Sequence, residues 1–171
     1  MSGDGILATP RLRLHLATAD VLAAASESPR ALAQAVDAEL SPDWISAGMP
    51  LLQRTGWRVQ RGRPSRALVV HSADRLVIGD IRCDRQPGLD PTYEIGYAVV
   101  PAYRRQGFAV EAAGRVIDWL FQDEGASLVV AGCNMRNRAS VRTLRRLGFW
   151  LDGSAGSAFW WRLSPEMRAP A

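Results

Sequence analysis

The stretch from Tyr93 to Gly125 constrains the fold more than any other part of the chain. Tyr93 to Val100 reads as a strand, and Pro101 stops it because proline has no N–H for a ladder. A turn with Arg104 and Arg105 follows, and a helix starts at about Gly107. Ala112, Ala113, Val116, Ile117, Leu120 and Phe121 then recur at helical spacing and make one apolar stripe. Gly125 ends that helix, and Leu128 to Ala131 is a short apolar run of the buried-strand type. A strand, a one-sided helix and another strand need a sheet to lie on.

The remaining chain supplies one. Leu12, Leu14 and Leu16 alternate with Arg11, Arg13 and His15, a period of two that predicts a first strand. Thr18-Ala19-Asp20 offers cap chemistry for an Ala-rich helix from about Val21, and residues 30–40 predict a second helix. Pro42, Gly48 and Pro50 make 41–50 a loop or broken helix, and 51–60 reads as a short helix carrying Trp57. Ala67 to Val70 and Leu76 to Ile81 are strands around a turn near Ser72-Ala73-Asp74, and Gln86 to Pro91 is a second turn. Ser140 to Leu147 predicts a helix closed by Gly148-Phe149-Trp150, and Ala158 to Leu163 a last strand. Hairpins mixed with crossovers imply an α/β (α+β) layer with helices on both faces of a sheet.

Composition narrows the classes. With 171 residues and 47% apolar content, the chain can carry a core of its own as one domain. No apolar run approaches the roughly 18 residues of a membrane span, and the start Met1-Ser2-Gly3-Asp4 lacks a secretory pattern. All 21 basic residues are arginine, but a net charge of +4 is mild and fits solvated faces better than a nucleic-acid surface. The patterns of common nucleic-acid modules are also missing. Cys83 and Cys133 have neither a CxxC partner nor zinc spacing with His15 or His71, so no metal site is expected. Free thiols fit a reducing cytoplasm.

Chemistry concentrates where the strand at 93–100 runs into its helix. A helix start has unpaired N–H groups and the positive end of the dipole, and phosphate is its usual guest. Gly107 lets a ligand approach the main chain, and Ala109 keeps the next position small. Neither a P-loop nor a dinucleotide fingerprint is present.

Arg104-x-x-Gly107-x-Ala109 resembles the R/Q-x-x-G-x-G/A acyl-CoA motif of the GNAT acetyltransferases. The wider string from Glu94 to Ala112 is similar to the ribosomal-protein N-terminal acetyltransferases of the RimJ/RimL type. Asn137-Arg138-Ala139-Ser140, followed by Leu147-Gly148-Phe149, and the opening Leu7 to Leu14 extend the resemblance over roughly residues 7–163. Val110 and Ala98 depart from the branch, which often has Thr and an aromatic there. Many members of the superfamily carry a tyrosine acid seven residues after the helix-start Asn. That position is Leu144 here, which excludes a tyrosine acid from that site.

The resemblance implies one N-acetyltransferase domain, 1–171. Its sheet would be mixed and mostly antiparallel, with six to seven strands that splay between the fourth, about 93–100, and the fifth, about 128–133. Acetyl-CoA would enter this gap without any metal. Its pantetheine would pair with the main chain of Val99 and Val100. Its pyrophosphate would sit on the N–H groups of Gln106, Gly107, Phe108, Ala109 and Val110, with Arg104 and Arg105 adding charge. Asn137 would touch pantetheine or cap its helix. The acceptor would be a primary amine, either a protein or peptide N-terminus or a small polyamine or aminoglycoside-like compound. A catalytically silent CoA-binding protein is the third reading, and a homodimer is left open.

Direct acetyl transfer needs a base, an oxyanion donor and at most a weak acid, since an α-amine has a pKa of about 8 and a thiol about 8.5. Glu94 is the expected base, Glu111 the second candidate and water a third, while a Val99 or Val100 N–H would serve the oxyanion. Ser140 is expected to donate to the thiolate or to bind CoA. Each has a plainer alternative: Glu94 pairing with a surface arginine, Glu111 complementing the helix dipole, Ser140 serving as a helix-start hydroxyl. Arg138, Arg142 and Arg145 share a helix face that meets the 3′-phosphate of CoA, an acidic acceptor or solvent. Cys133 reads as a small buried hydrophobe. Trp44 and Trp57 read as an acceptor lid or as core, and one of Trp160 and Trp161 is expected to face the acceptor.

Overall fold

The computed structural model describes residues 5–50, 64–88 and 90–168. Along the chain run β1 (Ile6–Ala8), β2 (Leu12–Leu16), α1 (Ala19–Glu27), α2 (Pro29–Ala35), β3 (Glu39–Leu40), α3 (Pro42–Ala47), β4 (Arg66–His71) and β5 (Leu76–Arg85). Next come β6 (Thr92–Val99), α4 (Phe108–Gln122), β7 (Leu128–Asn134), α5 (Arg138–Arg146), β8 (Trp150–Ala155) and β9 (Ala158–Leu163). The predicted short helix at 51–60, with Trp57, lies outside the described residues.

One sheet holds all the strands, in the order β1-β2-β4-β5-β6-β7-β9-β8, with β3 beside β5. Among the described residues it has nine strands rather than six to seven, because β1, β3 and β8 are added. β1 and β3 are three and two residues long, too short to carry a pattern. All six residues of β8 are exposed, so no alternation marks it. Pairing is antiparallel except for β3 with β5 and β6 with β7. A parallel neighbour needs a crossover, and α4 is that crossover.

Register assigns the two faces. His71, Val69, Gly79, Val99 and Tyr97 share one face, through the pairs Val69 with Gly79 and Gly79 with Val99. Phe108 of α4 meets the His71 ring edge-on, and Tyr97 reaches Ser140 of α5, so α4 and α5 cover this face. Leu68, Asp80, Ala98 and Glu94 point the other way. Trp44 of α3 donates its indole N–H to Asp80 at 3.0 Å, which puts α3 on the second face. Coverage from both sides explains why Ala67 to Val70 are all fully buried and read as a continuous apolar run. The predicted apolar stripe of α4 is its core face: Ala112, Ala113, Val116, Ile117 and Leu120 have no exposed surface.

α2 stops at Ala35, short of the predicted 40, because Asp37 takes a positive φ of 48° and Glu39–Leu40 joins the sheet. The stretch 41–50 is a broken helix: Ser41 caps α3 by accepting from the Trp44 N–H at 3.1 Å. Thr18 precedes α1 without a side-chain cap.

Candidate active site

β6 and β7 pair at only three positions, Thr92 with Leu128, Tyr93 with Val129 and Glu94 with Val130. Both strands continue past that point, to Val99 and Asn134, and there they diverge. The result is the splay expected between these two strands.

The ladder with β5 decides which groups face the gap. Val100 N–H donates to the Ile78 carbonyl at 2.8 Å, so Val99 and Gly79 form a non-hydrogen-bonded pair. By alternation, the N–H and C=O of Val99 and of Tyr97 turn away from β5 and toward the gap. Val100 does not share this orientation. Its N–H is taken by Ile78, which removes it as an oxyanion donor, and its C=O accepts from Tyr103 N–H at 3.0 Å. Arg104 folds back, and its Nε donates to the Val99 carbonyl at 2.8 Å.

The entry to α4 is an uncapped helix start. Arg105 and Gly107 have positive φ values of 65° and 86°, and Gly107 at the cap position offers no side chain to the first N–H groups. Those of Phe108, Ala109 and Val110 have no helical acceptor, as in any first turn. Gln106 bonds the Ala102 carbonyl through its amide, and Arg105 is exposed. The Phe108 side chain is buried against His71 and Tyr103, so only its main chain can meet a ligand.

Arg11, which the sequence reading did not single out, holds this turn in place. Its guanidinium reaches the Gln106 carbonyl at 3.1 Å, lies 4.3 Å over the Phe108 ring and bonds Glu111 at 2.7 Å. Glu111 also accepts from the Thr9 hydroxyl at 2.6 Å and the Arg11 N–H at 3.0 Å. Burial pushes the Glu111 carboxyl up, but the bonds from Thr9 and Arg11 outweigh it and hold the carboxyl below its ordinary range. Such a carboxylate, with both oxygens engaged, is a staple between β1–β2 and α4. Glu111 is thereby withdrawn as a candidate base.

Glu94 lies where the gap opens, on the face away from α4 and α5. Its Oε1 accepts from Arg82 at 2.9 Å and its Oε2 from Gln86 at 3.3 Å, and its side chain keeps a quarter of its surface exposed. Asp84 shares Arg82 at 3.4 Å. The carboxylate therefore has a surface arginine and also an open approach.

On the α5 side, Asn137 caps the helix by accepting from the Ser140 N–H at 3.1 Å. The Tyr97 hydroxyl donates to the Ser140 carbonyl at 3.2 Å and lies 2.9 Å from Ser140 Oγ. Burial pushes the Tyr97 phenol up, which keeps it a proton donor at neutral pH. Tyr97 is thus the missed side chain of the gap. Its partner sits 43 residues away, and no spacing rule reports a link of that length.

Other candidates resolve simply. Leu144 and Cys133 are buried, and Arg138, Arg142 and Arg145 face solvent. Trp44 is buried on Asp80, which also accepts from Arg66 at 3.0 Å, so Trp44 is core and not a lid. Trp161 is buried, whereas Trp160 is 39% exposed on the Glu94 face. Among the described residues no cluster of metal-binding side chains occurs, and no helix is long and apolar enough to cross a membrane.

A parallel pair that parts at mid-length beside an uncapped helix start is the candidate site, and comparison with known proteins assigns the family. Residues 11–150 match the model of the acetyltransferase (GNAT) domain, and the chain belongs to that family. It is 26% identical to the uncharacterized N-acetyltransferase YjdG of Bacillus subtilis, over 91% of this chain and 96% of that one. Solved structures share the fold, among them two acetyltransferases. The ribosomal-protein-S5-alanine acetyltransferase of Vibrio fischeri has a TM-score of 0.67 at 18% identity and covers 96% of this chain and 99% of its own. The microcin C7 self-immunity acetyltransferase MccE, in complex with acetyl-CoA and AMP, has a TM-score of 0.62 at 15% identity, with coverage of 95% and 97%. The chain is accordingly an N-acetyltransferase of GNAT type.

Proposed function

We propose that the chain moves the acetyl group of acetyl-CoA to the α-amine of a peptide or protein, in the manner of the RimJ/RimL branch. One observation carries the coenzyme part. The β6–β7 register ends at Glu94 and Val130, leaving the main chain of Tyr97 and Val99 toward a gap beside the uncapped start of α4. Unpaired strand groups are a template for an amide-bearing ligand, and an uncapped helix start suits a diphosphate. Pantetheine pairs with the Val99 N–H and the Tyr97 main chain, and reaches the Val99 carbonyl where Arg104 yields its bond. The diphosphate rests on the N–H groups from Gly107 to Val110, with Arg105 beside it, and a Val99 or Tyr97 N–H takes the oxyanion.

The coenzyme arrives on the face of α4, so the amine arrives on the other, where Glu94 waits. Glu94 exchanges its Arg82 or Gln86 contact to take the ammonium proton, directly or through water. The amine attacks the thioester carbonyl, the C–S bond breaks, and the thiolate leaves beside Tyr97 and Ser140, which supply its hydrogen bonds. The likeness to the Vibrio fischeri ribosomal-protein acetyltransferase supports a peptide α-amine. So does charge: Glu94 and Asp84 already share Arg82, and Asp152 pairs with Arg162 at 3.2 Å. A polyamine would call for carboxylates without arginines.

Thiol release from acetyl-CoA over peptides, polyamines and aminoglycosides tests this reading. Release with peptides and little with polyamines is expected. Release with polyamines alone would move the acceptor to the small-molecule class.

A further inference from the structure

The acceptor face of the sheet carries two exposed indoles, Trp150 on the edge strand β8 and Trp160 on β9, the strand beside β7. β9 places Trp160 opposite Gly132 of β7 and opposite Gly153 of β8, on the same face as Glu94 and Val130. Between those two glycines the ring leans toward β7. A Cβ added at Gly132 would lie 3.2 Å from Cη2 and Cζ3 of Trp160, whereas one at Gly153 would have nothing within 4 Å. The indole thus lies across the glycine two residues beyond Val130, where β7 has just left β6. On the other bank Glu94, Gly96 and Ala98 share the face, and the Arg82 side chain that bonds Glu94 lies over Gly96. The next residue along β9, Trp161, is buried on the opposite face, so 39% exposure of Trp160 is not a core side chain slipping outward.

An aromatic wall lacking a net negative surround favours an apolar or flat group over a polycation. We infer that Trp160, seated on Gly132, is the residue that sorts acceptors: it packs against the side chain next to the reacting nitrogen and selects peptides beginning with an apolar or aromatic residue. This rests on the transferase reading above. Glu94 handles the amine, and Trp160 reads what is attached beside it.

The test is steady-state kinetics with acetyl-CoA and short peptides beginning with Leu, Phe, Gly or Asp, with glycinamide and spermidine as the controls. The wild type is expected to show KM values at least fivefold lower for the Leu and Phe peptides than for the Gly and Asp peptides. Trp160→Ala should raise KM for the Leu and Phe peptides about tenfold and abolish the preference, with kcat at saturation within threefold. Trp160→Phe should restore most of it. Gly132→Ala, which pushes on the ring, should raise the same KM values severalfold. Equal KM values in wild type and Trp160→Ala, or acetylation of spermidine but of neither apolar peptide, would overturn the inference. Acetyl-CoA calorimetry on each protein separates the layers. Binding without the preference sinks this inference alone, and no binding to the wild type sinks the transferase reading with it.

Discussion

Two arginine–glutamate pairs sit about this gap, and they are built to opposite ends. Glu111, at the start of α4, takes bonds from the Thr9 hydroxyl, the Arg11 N–H and the Arg11 guanidinium, and only 17% of its side chain is exposed. Glu94, at the mouth of the gap, has one bond from Arg82 and a longer one from Gln86 at 3.3 Å, with a quarter of its surface open. The first pair fastens β1–β2 to the turn where a coenzyme would lie. The second can be undone at little cost, because exposed ion pairs contribute about 0–1 kcal/mol. Identical residue types make a staple in one place and, in the mechanism proposed, a proton acceptor in the other. The number of donors and the access of solvent decide which.

The largest effect should come from the staple. Glu111→Gln loses charge-assisted bonds in a partly buried setting and should cost about 1–3 kcal/mol of stability, read as a lower denaturant midpoint. Once folded, it should keep its kcat. A kcat fallen tenfold with stability intact would reverse the roles of the two glutamates. Glu94→Gln should behave in the converse way: kcat at pH 7 falls tenfold or more, about 1.4 kcal/mol, while acetyl-CoA affinity and stability hardly move. Unchanged turnover would leave Glu94 a surface ion pair. Ser140→Ala, beside Tyr97, should lower kcat severalfold with the coenzyme dissociation constant steady. A loss confined to coenzyme affinity would make Ser140 a binding residue only.

The smallest effects are in the pH dependence of stability. The Glu111 carboxyl is held below its ordinary value, so its contribution is present above that value and is lost as pH falls from about 4.5 through the folded pKa. Burial, aided by Arg13, depresses the His15 imidazole against the opposing Asp37. A neutral His15 costs nothing above its ordinary 6.5, and stability should decline as pH falls below that, because the unfolded chain binds the proton first. Urea midpoints from pH 7.5 to about 2.5 should show two declines. His15→Phe should remove the upper and Glu111→Gln the lower.

What was legible in the sequence was what repeats or stops locally. Leu12, Leu14 and Leu16, the stripe of α4 and the breaks at Pro101 and Gly107 placed β2, β6, α4 and the gap beside it. What was not legible was held by distant partners. Arg11 and Glu111 are 100 residues apart, and neither announces the other. Tyr97 looked like one more strand aromatic until α5 brought Ser140 to it. Val100 failed for a finer reason, since hydrogen-bond phase on β6 depends on the Ile78 carbonyl of a neighbouring strand. Trp160 and Trp161 alternate visibly in sequence, but only the sheet shows which of them leans over Gly132.

The central claim is that the uncapped turn at Gly107 and the parted strands hold acetyl-CoA. Calorimetry with the wild type and Gly107→Val measures it directly. At a φ of 86° a β-branched residue is strained and places bulk at the cap, so coenzyme affinity should fall by a factor on the order of 100 from a micromolar wild-type value. Equal heats from the two proteins, or no heat from the wild type at millimolar acetyl-CoA, would contradict the account.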